Sequence, residues 1–379
     1  MAQSSPDRPN SFSDATDAAD RSAAVAASTV PGEGTLLADP AVDAVDLPAP
    51  ADPTDPAADA DRAHGADRPT GWRNVVRRLR RDRWAVLGGV IIVITTLVAI
   101  LAPFITKLAG VDPYSYDLDA LEPSGVPAGS LGGISAAHWF GVEPQTGRDL
   151  FATVVEGTRT SFSIGMGATI LSMVIAIVLG LSAGYFGGWW DTLISRLTDV
   201  TLGFPHLVFM IAISAIIPSS APRVLVMILI IGILGWPSTA RVLRSRTLAL
   251  RGRTFVGASR AMGAGGLHVL WTQILPNLVA TIVVFTTISI PGKITAEAAL
   301  SFLGVGVSPP TPSWGRSISD AISWVQVDPM YLIFPGMALF LVTLGFNMFG
   351  DGLRDALDPA ENRTGEAARI DPMSAGGQP

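Results

Sequence analysis

Cysteine is absent from this sequence of 379 residues, and only four histidines occur in it. Without cysteine the chain can form no disulfide, and it has neither a thiol nucleophile nor a cysteine-ligated metal site. The histidines, His64, His138, His206 and His268, are scattered without the spacing of metal ligands. We therefore expect no metal site and no cofactor bound by this chain.

Lysine is also rare, and its two positions argue against ATP binding. A phosphate-binding loop requires the spacing Gly-x-x-x-x-Gly-Lys-Ser/Thr. Neither Lys107 nor Lys293 stands in that context. No arrangement of Ser, His and Asp has a recognisable nucleophile context either. The sequence therefore predicts that the chain is not an enzyme.

Charged residues make up only 15% of the chain, whereas 49% of its residues are hydrophobic. Together with a mean hydropathy of +0.42, this composition is typical of an integral membrane protein. The net charge of −6 is unevenly divided, because residues 1–70 carry −9 and the remainder carries +3.

Residues 1–70 are rich in Ala, Asp, Pro and Ser and have no periodic apolar face. Such a segment cannot bury enough surface to offset the entropy of ordering, so we expect a disordered, acidic cytoplasmic tail. It lacks the pattern of a cleaved signal peptide. A solvated spacer is the simplest role, and a regulatory or docking role is the alternative. Residues 361–379 are expected to form a flexible C-terminal tail.

Six apolar runs are each close to the roughly 20 residues that cross a bilayer core. They lie at about 85–106, 161–184, 199–217, 223–241, 278–302 and 331–349. We therefore predict an all-α, polytopic membrane protein whose six transmembrane helices form one domain over residues 85–360. Pro205 and Pro237 should kink two of the spans. Small residues such as Gly180 and Gly184 should allow helices to approach closely.

Two basic segments set the expected orientation. Residues 71–84 hold six arginines just before the first span, and residues 241–277 hold six arginines without an acidic residue. Arginines near spans are retained in the cytoplasm, so both termini should be cytoplasmic, with loops 107–160 and 303–330 outside and 185–198 inside. A nucleic-acid arm is the alternative for 71–84, but its junction with a span favours orientation.

The basic loop 241–277 also has helical spacing. Its apolar positions predict two short helices, over 242–250 and 255–263, a stop at 263–266 and a third segment leading to Pro276. Gly257-Ala258-Ser259, then Gly263, then nine residues and Gln273-Ile274-Leu275-Pro276 resemble the Glu-Ala-Ala signature loop of permease subunits in bacterial ABC importers. In that family the loop forms coupling helices that dock on the ATP-hydrolysing subunit. The family's glutamate, last alanine and isoleucine are replaced here by Gly257, Ser259 and Gln273.

Four further stretches occur in the family's order. They are HWFGVEPQTGRDLF at 138–151, GYFGGWWDTLISRLTDVTLGFP at 184–205, KITAEAALSFLGVGVSPPTPSWGRSISDA at 293–321 and FPGMALFLVTLGFNMFGDGLRDALDP at 334–359. They resemble the dipeptide, oligopeptide and nickel branch of these permeases, and the resemblance covers about residues 75–360. It implies a second permease subunit, two ATP-binding subunits that use ATP and Mg, an extracytoplasmic solute-binding protein and a bacterial cell membrane with its lipid, but no nucleic acid.

Two groups of residues are candidates for function. The resemblance assigns coupling to the ATPase to Arg253, Gly257, Ala258, Ser259, Ala261, Gly263, Leu275 and Pro276. Candidates for the substrate path, or for purely structural roles, are Lys293, Glu297, Gly147, Arg148 and Asp149. Lys293 and Glu297 are one helical turn apart and can pair, and Asp149 can cap a helix. Arg196 and Asp199 can likewise share a helix face.

The predicted function is therefore that of a permease subunit of an ATP-driven importer of di- or oligopeptides. An importer of nickel or another small solute is the nearest alternative. A transporter driven by an ion gradient would need several acidic or His residues within its spans, and only Lys293, Glu297 and His206 qualify. A membrane scaffold or export component is a third class.

Overall fold

The computed structural model describes residues 72–218 and 220–357 of the chain. Among them the long elements are all helices, and no β-strand occurs. The predicted all-α class is confirmed. The tails predicted at 1–70 and 361–379 lie outside the described residues.

Four continuous helices in the described part of the chain are long and apolar enough to cross a membrane. A short helix, α1 (Trp72–Leu79), precedes them. The third of the four is continuous over Gly266–Phe302 and contains α9 (Gly266–Val269), a π-helical turn (Leu270–Ile274) and α10 (Leu275–Phe302). The others are α2 (Arg83–Ala109), α3 (Leu150–Phe186) and α12 (Met330–Leu357).

Two further spans are bent pairs of helices. Helices α4 (Gly188–Gly203) and α5 (His206–Ile216) meet at 87°, and helices α6 (Arg223–Leu234) and α7 (Pro237–Arg251) meet at 41°. Pro205 and Pro237 stand at the breaks, where proline removes a backbone donor and blocks continuation of the preceding helix. The predicted six spans are reached when each bent pair counts as one span.

The predicted loop boundaries need correction at the first two connections. The loop expected at 107–160 is shorter at both ends, because α2 runs to Ala109 and α3 begins at Leu150, where the Asp149 side chain accepts a hydrogen bond from the Ala152 N–H at 2.8 Å. The loop expected at 185–198 is mostly the helix α4. A single turn at Gly187, with φ of 69°, suffices to start that helix directly after α3.

The basic loop also differs from its predicted form. The first of its two predicted helices is the end of α7, and the second is a separate short helix, α8 (Thr254–Ala261). Pro276 does not end a segment, because the helix Gly266–Phe302 continues through it. Pro276 lies in the first turn of α10, after the π-helical turn, where the lack of an N–H is tolerated.

Helix α3 is the central element and contacts α2, α6, α7 and α10. Its close approach to α7 depends on glycine. A Cβ atom at Gly180 would lie 2.7 Å from the Ala240 carbonyl oxygen, and one at Gly184 would lie 2.7 Å from the Arg244 carbonyl oxygen. The structure therefore agrees with the prediction that these small residues let two helices approach closely.

The two ends of α3 have different neighbours. Near Tyr185, α3 packs against α7, α8 and the start of the helix Gly266–Phe302, and we call this region the basic end. Near Leu150, α3 packs against the loop 110–149, the start of α12 and a short helix, α11 (Trp314–Ala321), and we call this region the loop end.

Candidate functional site

Helix α8 is a short basic element at the basic end, and most of its surface is exposed. Val256 and Ser259, one helical turn apart, are its buried side chains. The predicted coupling residues that lie on its exposed surface, or at its two ends, are Arg253, Gly257, Ala258, Ala261 and Gly263. One face of α8 is therefore attached to the bundle, while the opposite face is free to contact another protein.

A contact with α3 holds α8 in place. The Arg260 guanidinium lies over the Tyr185 ring, 4.9 Å from its centroid, and Arg260 Nε donates to the Tyr185 hydroxyl at 3.3 Å. Such stacking of a cation on an aromatic ring contributes about 0.5–1 kcal/mol at exposed sites. Val256 adds a fully buried apolar contact in the same cluster as Leu243. These contacts attach α8 to both α3 and α7.

Gly263 terminates this element. Its φ of 87° lies in the left-handed region, where an L side chain is strained. Its N–H bonds to the Arg260 carbonyl at 2.9 Å, and the next N–H, of Ala264, bonds to the Ser259 carbonyl at 3.1 Å. These are the bonds of a glycine-terminated helix end, so Gly263 turns the chain sharply from α8 toward α9.

The remaining coupling candidates occupy other positions. Ser259 is buried, with 7% of its surface exposed, so its side chain faces the bundle and not a docking partner. Leu275 is partly buried against the same apolar cluster as Val256, and Pro276 is exposed at the start of α10. The structure therefore gathers residues 253–263 on one surface and places Leu275 and Pro276 on the following helix.

Ion pairs join α4 to α7 at the same end. Arg244 makes a two-fold contact with Asp191, in which Nη2 lies 2.7 Å from Oδ2, and Arg241 Nη2 lies 2.6 Å from Asp199 Oδ1. Arg196 and Asp199, which were predicted to share a helix face, do not form an ion pair, because the Asp199 carboxylate contacts Arg241 on the neighbouring helix. Spacing within one helix could not show that a second helix supplies the partner.

Lys293 and Glu297 do not pair, which corrects the expectation from their spacing. Lys293 Nζ donates to the carbonyl oxygen of Gly235 at 3.0 Å, between α6 and α7. Glu297 is fully buried, and its Oε1 accepts from the Ser301 hydroxyl at 2.7 Å. The two side chains leave the same helix but reach different neighbours.

Glu297 lies in a buried polar cluster that connects three helices. The hydroxyls of Ser161 on α3, Ser301 on α10 and Ser313 at the start of α11 lie close to its carboxyl group. Ser301 donates to Oε1, whereas Oε2 has no hydrogen-bond partner among the described residues. Ser161 Oγ also accepts from the Trp314 N–H at 3.3 Å. The arrangement supports the structural alternative for Glu297, because its partners hold α11 against the bundle.

At the loop end, Gly147, Arg148 and Asp149 fold the long loop onto α3. Gly147 has φ of 67°, and a Cβ atom there would overlap the Asp117 carbonyl. Arg148 Nε donates to the Pro113 carbonyl oxygen at 2.7 Å. Asp149 caps α3, as predicted, and its second oxygen lies 2.8 Å from His138 Nδ1. All three residues therefore position the loop.

Glu143 is the buried acid of this loop. Burial raises the pKa of its carboxyl group above the ordinary value, and the charge of Arg148, with the hydroxyls of Thr146 and Thr153, opposes that rise. Arg148 Nε lies 3.7 Å from Glu143 Oε2. Glu143 is buried and Arg148 is partly buried, and the desolvation of the acid outweighs the attraction between them.

Three residues with evident roles escaped the sequence analysis. Tyr185 stacks under Arg260, His138 connects Asp149 to Asp117 at 2.8 and 3.3 Å, and Trp314 donates from Nε1 to the Val154 carbonyl at 3.2 Å. Each of them lies in one of the stretches that resemble the permease family, and that resemblance was the only sequence feature that could have indicated a role. Their partners are distant in sequence, so only the fold shows the contacts.

The described ranges, 72–218 and 220–357, contain no group of three His, Cys, Asp or Glu side chains that could hold a metal ion.

Comparison with known proteins agrees with the geometry. Residues 176–363 match the family described as binding-protein-dependent transport system inner membrane component. Residues 70–123 match the N-terminal TM domain of oligopeptide transport permease C. The second match includes α1 and α2.

Individual relatives cover most of the chain. It is 39% identical over 288 residues to the dipeptide transport system permease protein of Alkalihalophilus pseudofirmus, which covers 76% of this chain and 90% of that protein. It is also 39% identical over 290 residues to the glutathione transport system permease proteins of Pectobacterium atrosepticum and Escherichia coli, covering 76% of this chain and 91% of each relative.

Proposed function

This chain belongs to the family of inner membrane components of binding-protein-dependent transport systems, in the peptide and nickel branch of the ABC importer permeases, and we propose that it forms a path for di- or oligopeptides. Two kinds of relative support this substrate class, since one is named for dipeptides and the other for glutathione, which is itself a peptide. Nickel, the other solute of the branch, has less support, because neither name refers to a metal.

Energy is supplied by other subunits in this proposal. Two ATP-binding subunits hydrolyse ATP with Mg, a second permease subunit completes the path, and an extracytoplasmic solute-binding protein delivers the peptide. The observation that carries the proposal is the exposed helix α8, which ends at Gly263 and is attached to α3 through Arg260 and Tyr185. A docking element of this kind suits a chain that has no phosphate-binding loop of its own.

The motion follows from these attachments. When the ATPase subunits close, the exposed residues of α8 move with them, and the contacts of Arg260 and Val256 carry that movement to α3 and α7. The long helices then change from an arrangement open to the cytoplasm to one open to the outside. In this orientation the basic end and both termini are cytoplasmic, and the loop end faces the binding protein.

The test is a comparison of Gly263→Val with Gly252→Ala in the reconstituted complex. A valine at a left-handed position costs about 1–2 kcal/mol, and about 1.4 kcal/mol corresponds to a factor of ten. We expect Gly263→Val to insert normally but to lower peptide uptake per ATP hydrolysed by roughly tenfold, because the docking surface is displaced.

Gly252 is the matched control, since it ends α7 with φ of −84° and has open space where a Cβ atom would lie.

Copurification of the ATPase should depend on residues 257–263. Unchanged transport by Gly263→Val would contradict the docking role. Uptake that persists after loss of every ATPase subunit would remove the importer assignment itself.

A further inference from the structure

A pocket of about 330 Å³ lies where three irregular points of the spans meet. These points are the bend at Pro205, the bend at Gly235–Trp236 and the segment Pro291–Gly292 within α10. Its polar lining consists of His206, Ser238, Thr239, Ser289 and Lys293. We call it the Lys293 pocket.

The pocket holds a cation without an acidic partner. No carboxylate of the described residues lies within 4.0 Å of Lys293 Nζ, and the one hydrogen bond described for this ammonium goes to the Gly235 carbonyl. An ammonium group has three donors, so the carbonyl leaves capacity for a further acceptor. A charged group at membrane depth normally faces protein or water and pairs there.

Two helix ends reinforce the positive potential. Helix α5 begins at His206 and α7 begins at Pro237, and neither has a side-chain cap. The first turns of these helices, through His206, Ser238 and Thr239, line the pocket. Because the N-terminus of a helix carries about half a unit of positive charge, an ammonium beside two such ends favours a bound anion.

The simplest alternative is that Lys293 only caps the Gly235 carbonyl, which the break between α6 and α7 leaves exposed. That role accounts for the hydrogen bond. It does not account for the cavity, for its hydroxyl lining, or for the exposure of His206, Ser238 and Gly292, through which the pocket opens onto a surface that this chain does not cover.

The position of Lys293 along α10 indicates how deep in the membrane the pocket lies. Lys293 is nine residues before the end of α10 at Phe302, which places it about 14 Å along the helix axis from that end. The hydrocarbon core is about 30 Å thick. With the end of α10 placed at the edge of the hydrocarbon core, the Lys293 pocket lies close to the middle of the membrane.

We propose that the Lys293 pocket binds the carboxylate of a peptide in transit, an inference that rests on the proposed function. Every linear peptide ends in a carboxylate whatever its side chains are. A single cation flanked by hydroxyls thus contacts the group shared by the whole substrate class, whichever side chains the peptide carries.

The experiment uses the absence of cysteine in this chain. The variant Ser289→Cys places one thiol at the pocket in the complete transporter, held in inside-out membrane vesicles. The thiol is treated with two methanethiosulfonate reagents, an anionic sulfonate and a cationic trimethylammonium compound. Mass spectrometry of this subunit gives the rate of reaction with each reagent. The ratio of the anionic rate to the cationic rate is then compared with the same ratio for free mercaptoethanol.

We expect the ratio of the anionic rate to the cationic rate to be higher for the thiol of Ser289→Cys than for free mercaptoethanol. Adding Lys293→Met should lower that preference by roughly tenfold, because one unit charge near the thiol is removed, whereas Lys293→Arg should retain it. A dipeptide with a free C-terminal carboxylate should protect the thiol, and the same dipeptide as its C-terminal amide should protect it much less.

Three results would overturn the proposal: no reaction with either reagent, no anionic preference in Ser289→Cys alone, or equal protection by the acid and the amide. The preference in Ser289→Cys is measured without altering Lys293, so misfolding of Lys293→Met does not leave the question open. An anionic preference in a transporter that moves no peptide out of the lumen of these inside-out vesicles would instead reject the proposed function and keep the anion site.

Discussion

At the scale of single residues, the positions that matter are set by backbone geometry and burial. Gly263 and Gly147 are required for their left-handed conformations, with φ of 87° and 67°. Lys293 and Glu297 are only four residues apart in the sequence, but their environments differ. Lys293 lines a pocket, whereas Glu297 lies in a buried cluster of hydroxyl groups. Residue type alone therefore did not determine their roles.

The variant Glu143→Gln should remove a pH dependence of stability. Burial raises the pKa of Glu143 above 4.5, so the folded state binds a proton more tightly than the unfolded state does. Its contribution to stability is fully present below that value and is lost as the pH rises through the folded pKa. In detergent, the melting temperature of the wild-type chain should therefore fall from about pH 4.5 upward, and it should fall more than the melting temperature of Glu143→Gln does.

Glu122→Gln is the control, because Glu122 is an exposed glutamate of the same loop. Its melting temperature should follow that of the wild type across the whole pH range. If the melting temperatures of the wild type and of Glu143→Gln changed in parallel with pH, the buried carboxyl group would not titrate as proposed.

At the scale of elements, α3 organises the molecule because small residues let its neighbours approach. The glycines at 180 and 184 face α7, and the last turn of α3 supports α8 through Tyr185. The ion pairs from α4 to Arg241 and Arg244 hold the other side of α7. Residues near the basic end thus form one connected unit.

The variant Gly180→Val should separate α3 from α7. A Cβ atom at Gly180 would lie 2.7 Å from the backbone oxygen of Ala240, which cannot move without moving α7. Overpacking of this kind costs typically about 1–3 kcal/mol, so we expect a lower melting temperature and less folded protein in the membrane. Gly336→Val in α12 is the control, since a Cβ atom there meets no atom within 4 Å. Equal stability of both variants would show that the contact is not essential.

At the scale of the whole molecule, the outer surface of the bundle is apolar. Val93, Ile100 and Phe340 expose 58%, 68% and 55% of their surfaces. Such a surface is compatible with lipid and with partner helices but is unfavourable in water. Membership of the permease family identifies the solvent as a bacterial inner membrane.

The orientation can be tested with single thiols in intact cells. Met262→Cys places a thiol at the basic end, where Met262 exposes 83% of its surface, and Ser130→Cys places one in the long loop. A membrane-impermeant maleimide should label only the variant at position 130, because arginine-rich loops stay in the cytoplasm. Permeabilised cells serve as the control, in which both should react. Labelling at position 262 in intact cells would reverse the proposed topology.

The sequence was sufficient for features that depend on local chemistry. Apolar runs of about the bilayer thickness indicated six spans, prolines marked both bends, and Asp149 marked the start of α3. Boundaries were less accurate. The loop at 185–198 proved helical because a single glycine turn can connect two helices, and Pro276 proved compatible with a continuous helix because a π-helical turn precedes it.

By itself, then, the sequence determined the fold class and the family and located the basic segment 241–277, because hydropathy, charge and motif order are properties of neighbouring residues. Only the tertiary structure decided which groups meet: Lys293 with the Gly235 carbonyl, Glu297 with serines from three segments, and Arg260 with Tyr185. These partners are far apart along the chain. Their contacts arise from helix packing and bending, which a local pattern does not record.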